Sequence, residues 1–284
     1  MQLKQAVDAA YAAFVAHDVP SPRLNAELLL MFVLGRERAF LYAHPERELS
    51  SEEQYRYDQV VRERASGCPT QYITGHQEFW GLDLLVSPAV LIPRPETEHV
   101  VETVLELVKQ FDPDRPGKLR MVDVGTGSGC IALALASELP QADLHACDIS
   151  EEALEMARIN AARLRLDQRV HFRKSDLLAA YPRDTFDFVV SNPPYVGDSE
   201  ADSVQKQVRE FEPKIAVFSG TEGLDIYRRL IPQAREALKP GGWFVAEIAF
   251  SREEQSRELL AGWSDVQVTA DLQGIPRVIA AKRP

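Results

Sequence analysis

Over residues 1–66 apolar positions recur every three or four residues, and no alternation of period two interrupts them. Leu3, Val7, Ala10 and Phe14 share one helical face. The stretch SPRLNAELLLMFVLG (21–35) carries a Ser cap, a Pro in its first turn and a terminal Gly35, which predicts a second helix. SEEQYRYDQVVRERA (51–65) predicts a third. At GHQEFWGLDLLVSPAVLIP (75–93) two short β-like runs flank a glycine turn, which predicts a hairpin. PRPETEHVVETVLELVKQF then reads as a helix, with Pro95 in its first turn and an apolar stripe of Val101, Val104, Leu105 and Val108.

From residue 119 the pattern alternates between strand and helix. Strands are predicted at LRMVDVG, ADLHACDIS, RVHFRKSD, FDFVVS, WFVAEIA, VQVTAD and RVIAAKR, with helices between most of them. Mostly apolar strands separated by helices bury both faces of a parallel sheet. The short link between the last two strands predicts an antiparallel C-terminal edge. The fold expected is α/β: a Rossmann-like, mostly parallel seven-stranded sheet with a small N-terminal helical domain joined to it by a β-hairpin. The boundaries read as 1–74, 75–93 and 94–284.

Composition narrows the class. A net charge of −11 over 284 residues argues against naked nucleic acid as the main partner, because such binding neutralises phosphates with Lys and Arg. Cys68, Cys130 and Cys147 show no C-x-x-C spacing and read as reduced core thiols. The histidines lack metal-ligand spacing, and no metal is expected. No signal peptide or membrane span is evident, so a cytoplasmic protein is expected.

Two motifs carry chemistry. In VDVGTGSGCIAL, Gly125, Thr126, Gly127, Ser128 and Gly129 lie between a strand and a helix. Glycines let the backbone turn sharply and approach a ligand. The dinucleotide pattern G-x-G-x-x-G is not met, since Cys130 takes its sixth position. G-x-G-x-G after an acid, Asp123, suits S-adenosyl-L-methionine better. Asp148, at the end of the second strand, is placed to accept from ribose hydroxyls. Asp176 is a candidate acceptor for the adenine amino group, with the N–H of Leu177 for a ring nitrogen.

The second motif, Asn192-Pro193-Pro194-Tyr195, ends the fourth strand. Prolines have no N–H and stop the ladder, which frees the Pro193 carbonyl. With the Asn192 side-chain oxygen and the flat Tyr195 ring it suits a planar –NH2 group. Such a nitrogen is a poor nucleophile, and two acceptors would pin it facing a methyl donor. The proton would leave late, to water.

At these residues the chain resembles amino-methylating, S-adenosylmethionine-dependent methyltransferases of class I, which act on DNA adenine, ribosomal RNA guanine or protein glutamine. EFWGLDLLVSPAVLIPRPETE (78–98), FEPKIAVFSGTEGLDIYRRLI (211–231) and DLQGIPRVIAAKR (271–283) are similar to the peptide chain release factor glutamine methyltransferases, the PrmC/HemK family. The resemblance covers nearly the whole chain. It implies methyl transfer to N5 of the glutamine in the Gly-Gly-Gln motif of class 1 release factors, with S-adenosyl-L-homocysteine as product. It implies that Asn192, Pro193, Pro194 and Tyr195 hold the amide, while Gly125–Gly129, Asp148, Asp176, Leu177 and Asn192 hold the cofactor. The family often has an aromatic residue where this chain has Leu177. A monomer is expected, with no stable nucleic-acid binding, its N-terminal helices docking the release factor. A nucleic-acid base methyltransferase and a non-catalytic cofactor binder are the alternatives. Arg94, Glu96 and Glu98 suit either site closure or a charged first helical turn. Phe79 and Trp80 suit hairpin packing, the favoured reading, or cofactor cover; Glu247, ending the fifth strand, is left open as a residue that could face the pocket; and 197–213 reads as solvated surface.

Overall fold

The computed structural model describes residues 1–111 and 117–284, which form two compact units. The first comprises Met1–His76 with Gln205–Phe211; the second comprises Gln77–Val204 and Glu212–Pro284.

Within its first 76 residues the first unit holds α1 (Leu3–Ala16), α2 (Pro22–Leu34), α3 (Arg38–Ala43), α4 (Ser51–Ala65) and α5 (Thr70–Thr74). The predicted α1 stripe is buried against Leu29, Leu30 and Val33 of α2 and Tyr57 of α4. Ser50 caps α4 through a reciprocal bond with Glu53. At α2 the expected cap is different: Ser21 sits in left-handed backbone and its side chain makes no cap bond. Asn25 Nδ2 binds the Pro20 and Ser21 carbonyls instead. The short α3 and α5 have too few turns to show a period, and the pattern did not predict them.

The hairpin strands β1 (His76–Phe79) and β2 (Leu82–Leu85) turn through left-handed Trp80 and Gly81. Glu98 Oε1 accepts from the Trp80 N–H, and Phe79 is buried in the main core. Helix α6 (Glu98–Val108) buries Val100, Val101, Val104 and Leu107; Leu105 and Val108 sit at the margin of its stripe.

The sheet follows, through β3 (Arg120–Val124), α7 (Cys130–Glu138), β4 (Asp143–Asp148), α8 (Glu151–Arg163), β5 (Val170–Lys174) and β6 (Phe186–Ser191). After two short helices, α9 (Lys206–Phe211) and α10 (Lys214–Val217), come α11 (Asp225–Ala237), β7 (Leu238–Glu247), α12 (Glu253–Leu259), β8 (Ser264–Ala270) and β9 (Pro276–Lys282). The order is β5-β4-β3-β6-β7-β9-β8. β9 is antiparallel to both its neighbours, so the chain's last strand sits inside the sheet and β8 forms the edge. Every residue of β6 is buried, as a central strand covered on both faces requires.

The strand order reverses between β3 and β6, which are adjacent and parallel with Val124 opposite Ser191. Ligands of open α/β sheets bind at such a switch point, beyond the carboxyl ends of the strands. The glycine loop leaves β3 there and the Asn-Pro-Pro-Tyr segment leaves β6.

Candidate functional site

The loop after β3 turns on three glycines with positive φ: Gly125 (73°), Gly127 (55°) and Gly129 (85°). Their roles differ. A Cβ at Gly125 or Gly127 would meet nothing within 4 Å, whereas one at Gly129 would lie 3.1 Å from Leu133 Cδ1 and 3.2 Å from Ala157 Cβ. Gly129 therefore serves helix packing, and the first two leave room above the loop. The loop is anchored from three sides. Gly125 and Thr126 donate their N–H groups to the Cys147 carbonyl of β4. Asp148 Oδ2 accepts from the Gly127 N–H at 3.0 Å, and its Oδ1 from the Ser150 N–H at 2.9 Å. Asn160 of α8, fully buried, donates to the Ser128 carbonyl and ties it to Leu85 of the hairpin.

Beneath the loop lies Asp123. Its Oδ2 accepts from Thr126 Oγ1 at 2.6 Å and from the Ala132 N–H at 3.2 Å. Its Oδ1 and the Ser128 Oγ are buried with no partner among the described residues. Burial lifts the Asp123 carboxyl from its ordinary 3.8 to about 7, and burial likewise raises Asp148.

Gly125, Thr126, Gly127, Ser128, Asp148 and Ser150 line a pocket with Arg94, Thr97, Ile131, Ile149, Leu177, Asn192, Pro194, Ile226 and Arg229, and Asp123 lies outside its lining. Of the predicted site residues, Gly125, Thr126, Gly127, Ser128, Asp148, Asp176, Leu177, Asn192 and Pro194 line it, and Gly129, Pro193 and Tyr195 do not. Leu177 holds left-handed backbone at φ 52°, uncommon for a branched side chain and concentrated where a site constrains the chain. Asp176, read as an adenine acceptor, lines the pocket and accepts from Arg229 at 2.5 Å through one of its two oxygens. Both partners are about half exposed, which leaves the pair exchangeable.

Residues 192–195 form no ladder. The Pro193 carbonyl and the Asn192 Oδ1 have no hydrogen-bond partner among the described residues. Pairing resumes one residue on, where Val196 bridges Phe218 and takes the Val217 carbonyl. The unpaired stretch is thus four residues long and clamped at both ends.

Two family descriptions match the chain: the PrmC N-terminal domain over residues 5–75 and the methyltransferase small domain over residues 103–211. The release factor glutamine methyltransferase of Koribacter versatilis (strain Ellin345) is 56% identical over 285 residues, covering 100% of this chain and 99% of that one. The one from Moorella thermoacetica is 41% identical over 286 residues, covering 100% and 99%. This chain belongs to the release factor glutamine methyltransferase family. Among solved structures, the N-terminal domain of human METTL16 in complex with SAH is similar in fold, with TM-score 0.53 and 18% identity over 90% of this chain and 94% of that one.

Relative to its sequence, this release factor glutamine methyltransferase family member hides a second layer behind the four unpaired residues. Tyr195 Oη donates to Glu247 Oε1 at 3.0 Å, and Thr97 Oγ1 donates to Glu247 Oε2 at 2.6 Å. Asn192 Nδ2 donates to Thr97 Oγ1 at 3.0 Å, and Tyr227 Oη donates to the Glu247 carbonyl. Glu247, left open by the sequence, does not line the pocket but organises what does. Burial raises its carboxyl, and the Thr97 and Tyr195 hydroxyls work against that rise. The signal in the sequence was an acid closing an apolar strand, which register places beside Asn192: Ser191 is opposite Ala246. Arg94 pairs with Glu212, which also accepts the Ile92 N–H. Glu212 is buried, against the solvated reading of its stretch. Of the charges left open, Arg94 faces the pocket, Glu98 satisfies the hairpin turn, and Glu96 lies 3.9 Å from Arg277 at the surface.

Proposed function

We propose that this protein methylates N5 of the glutamine in the Gly-Gly-Gln motif of class 1 peptide chain release factors. The observation that carries the reading is the pair of oxygens without donors, Asn192 Oδ1 and Pro193 O, at the end of β6 beside the glycine loop. Two acceptors match the two N–H bonds of a planar –NH2 group, whether of a carboxamide or of a nucleobase. Family membership over the full chain supports the carboxamide.

The pocket residues fit S-adenosyl-L-methionine. Gly125 to Ser128 would take its amino-acid end, where the Ser128 Oγ lacks a partner among the described residues. Asp148 keeps lone pairs for ribose hydroxyls, and Ile149, Leu177 and Ile226 supply apolar walls for the base. Gly129 supports this loop from behind. When bound, the cofactor supplies a methyl group on a sulfonium and leaves as S-adenosyl-L-homocysteine.

The chain's own residues handle the amide. Asn192 and Pro193 accept its two N–H groups, which fixes the nitrogen and stabilises the positive charge that grows on it. Pro194 and Tyr195 shape the wall beside it. No His or Lys is assigned as a base, and the departing proton goes to water. Residues 1–74 dock the release factor, residues 75–93 link, and residues 94–284 carry the chemistry, in a cytoplasmic monomer without stable nucleic-acid binding. No helix among the described residues is long and apolar enough to cross a membrane.

The test offers radiolabelled cofactor with a release factor, its Gln→Ala loop variant, DNA and ribosomal RNA. Label on the wild-type factor alone is expected. Label on nucleic acid but not on the factor overturns the reading.

A further inference from the structure

We infer that Thr97 and Glu247 form a relay that fixes which way round the Asn192 carboxamide sits, so that its oxygen and not its nitrogen meets the substrate. This rests on the proposed reaction and names positioning residues for it.

A carboxamide has two nearly isosteric ends, and only one of them accepts. Flipped by 180°, Asn192 would present two N–H donors to the substrate's –NH2 group and repel it. Something must choose the orientation. Thr97 Oγ1 carries a single hydrogen, and it goes to Glu247 Oε2 at 2.6 Å. Thr97 can then only accept from Asn192, and it takes the Nδ2 hydrogen at 3.0 Å. The Oδ1 end is left turned away from Thr97, without a partner among the described residues. The other carboxylate oxygen accepts from Tyr195, so Glu247 fixes the first and last residues of the segment together.

The scaffold is rigid enough to hold this. Thr97 is 1% exposed and Glu247 3%. Thr97 ends a short 3-10 turn, Pro95–Thr97, whose first φ is set by proline. Glu247 is held in β7 by pairing with Val278 of β9, and its carbonyl by Tyr227. The relay gives the Thr of the PETE stretch a task that charge and helix-start preferences do not supply.

The test compares Thr97→Val, which keeps the shape and loses the hydroxyl, with Thr97→Ser, which keeps the hydroxyl. Turnover on the release factor and cofactor affinity by calorimetry are measured for both. Thr97→Val is expected to lose kcat by about 10- to 100-fold, the usual cost of removing a group that orients another. Its cofactor Kd should stay within about twofold, since valine keeps the shape of the Thr97 pocket wall and the glycine loop is held by Cys147, Asp148 and Asn160. Thr97→Ser is expected to restore most of kcat. Glu247→Asp, one methylene shorter, should fall in kcat as Thr97→Val does, and it serves if the valine variant does not fold. A Thr97→Val enzyme with near wild-type kcat, a serine variant as poor as the valine one, or loss of cofactor affinity in parallel with kcat overturns the relay. An inactive wild type with every glutamine substrate overturns the proposed function itself, a separate outcome.

Discussion

Asn192 lines the pocket while Asp123 lies buried beneath its glycine loop, and each keeps an oxygen without a donor among the described residues. Asn192 keeps its oxygen available, so Asn192→Ala should cut methyl transfer at least about 100-fold, the scale of losing one aimed hydrogen bond in a transition state. Cofactor affinity should change by less than about threefold, measured by calorimetry alongside turnover. Asp123 keeps a buried oxygen without a donor among the described residues, and its carboxyl rises from 3.8 to about 7. Between those values the folded chain binds the proton more tightly than the unfolded chain does. Stability from this residue is therefore full below about pH 4 and is lost as pH rises through about 7. At about 1.36 kcal/mol per pKa unit, the difference of about 3 corresponds to roughly 4 kcal/mol. Asp123→Asn should thus gain stability relative to wild type above about pH 8, and the gain should shrink below about pH 5, in urea titrations at each pH. A difference that stays flat across that range would falsify the buried-carboxyl account.

At the scale of elements, the glycine loop separates structural from ligand-facing glycines. Gly127→Ala faces open space and should cost only about 1–2 kcal/mol of left-handed backbone strain, while weakening cofactor binding more than tenfold if the ligand lies on that face. Gly129→Ala adds contacts at 3.1 and 3.2 Å to the same strain and should be the less stable of the two in thermal melts. The elements themselves were mostly legible in the sequence, because period and punctuation are local. The α1 stripe, the Ser51–Ala65 helix and the apolar run of β6 follow from residues a few positions apart. What was not legible depends on register between distant strands. Nothing near Glu247 in sequence says that Thr97 and Tyr195 converge on it from 150 and 52 residues away. The Asp176 pairing with Arg229, 53 residues on, was hidden for the same reason.

At the scale of the whole molecule, the chain does not divide at one point. Residues 205–211 lie between segments of the sheet-bearing unit yet belong to the helical one. Arg64, 4% exposed, holds them: it donates to Gln207 Oε1 at 3.2 Å, to Asn25 Oδ1 at 3.0 Å and to the Cys68 carbonyl at 3.1 Å. Phe211 packs where Gly67 has no side chain, its ring carbon 3.3 Å from the Cβ position. Arg64→Ala removes three bonds from a buried cation and should destabilise by about 2–4 kcal/mol. Limited trypsin digestion should then cut first at Lys206 or Arg209; unchanged cleavage there would show that Arg64 does not secure the segment. Sequence reading placed 197–213 at the surface because polar residues dominate it, and it could not see that Phe211 packs at Gly67 or that Glu212 accepts the Ile92 N–H.

That excursion has a consequence for how the protein is born. A ribosome releases the chain from its amino terminus, and a self-contained leading module can collapse while the remainder is still being made. Here the core of the helical unit lies wholly within the first 76 residues and can form early, while the contacts of Arg64 with Gln207 and of Gly67 with Phe211 close only after β6 has been translated.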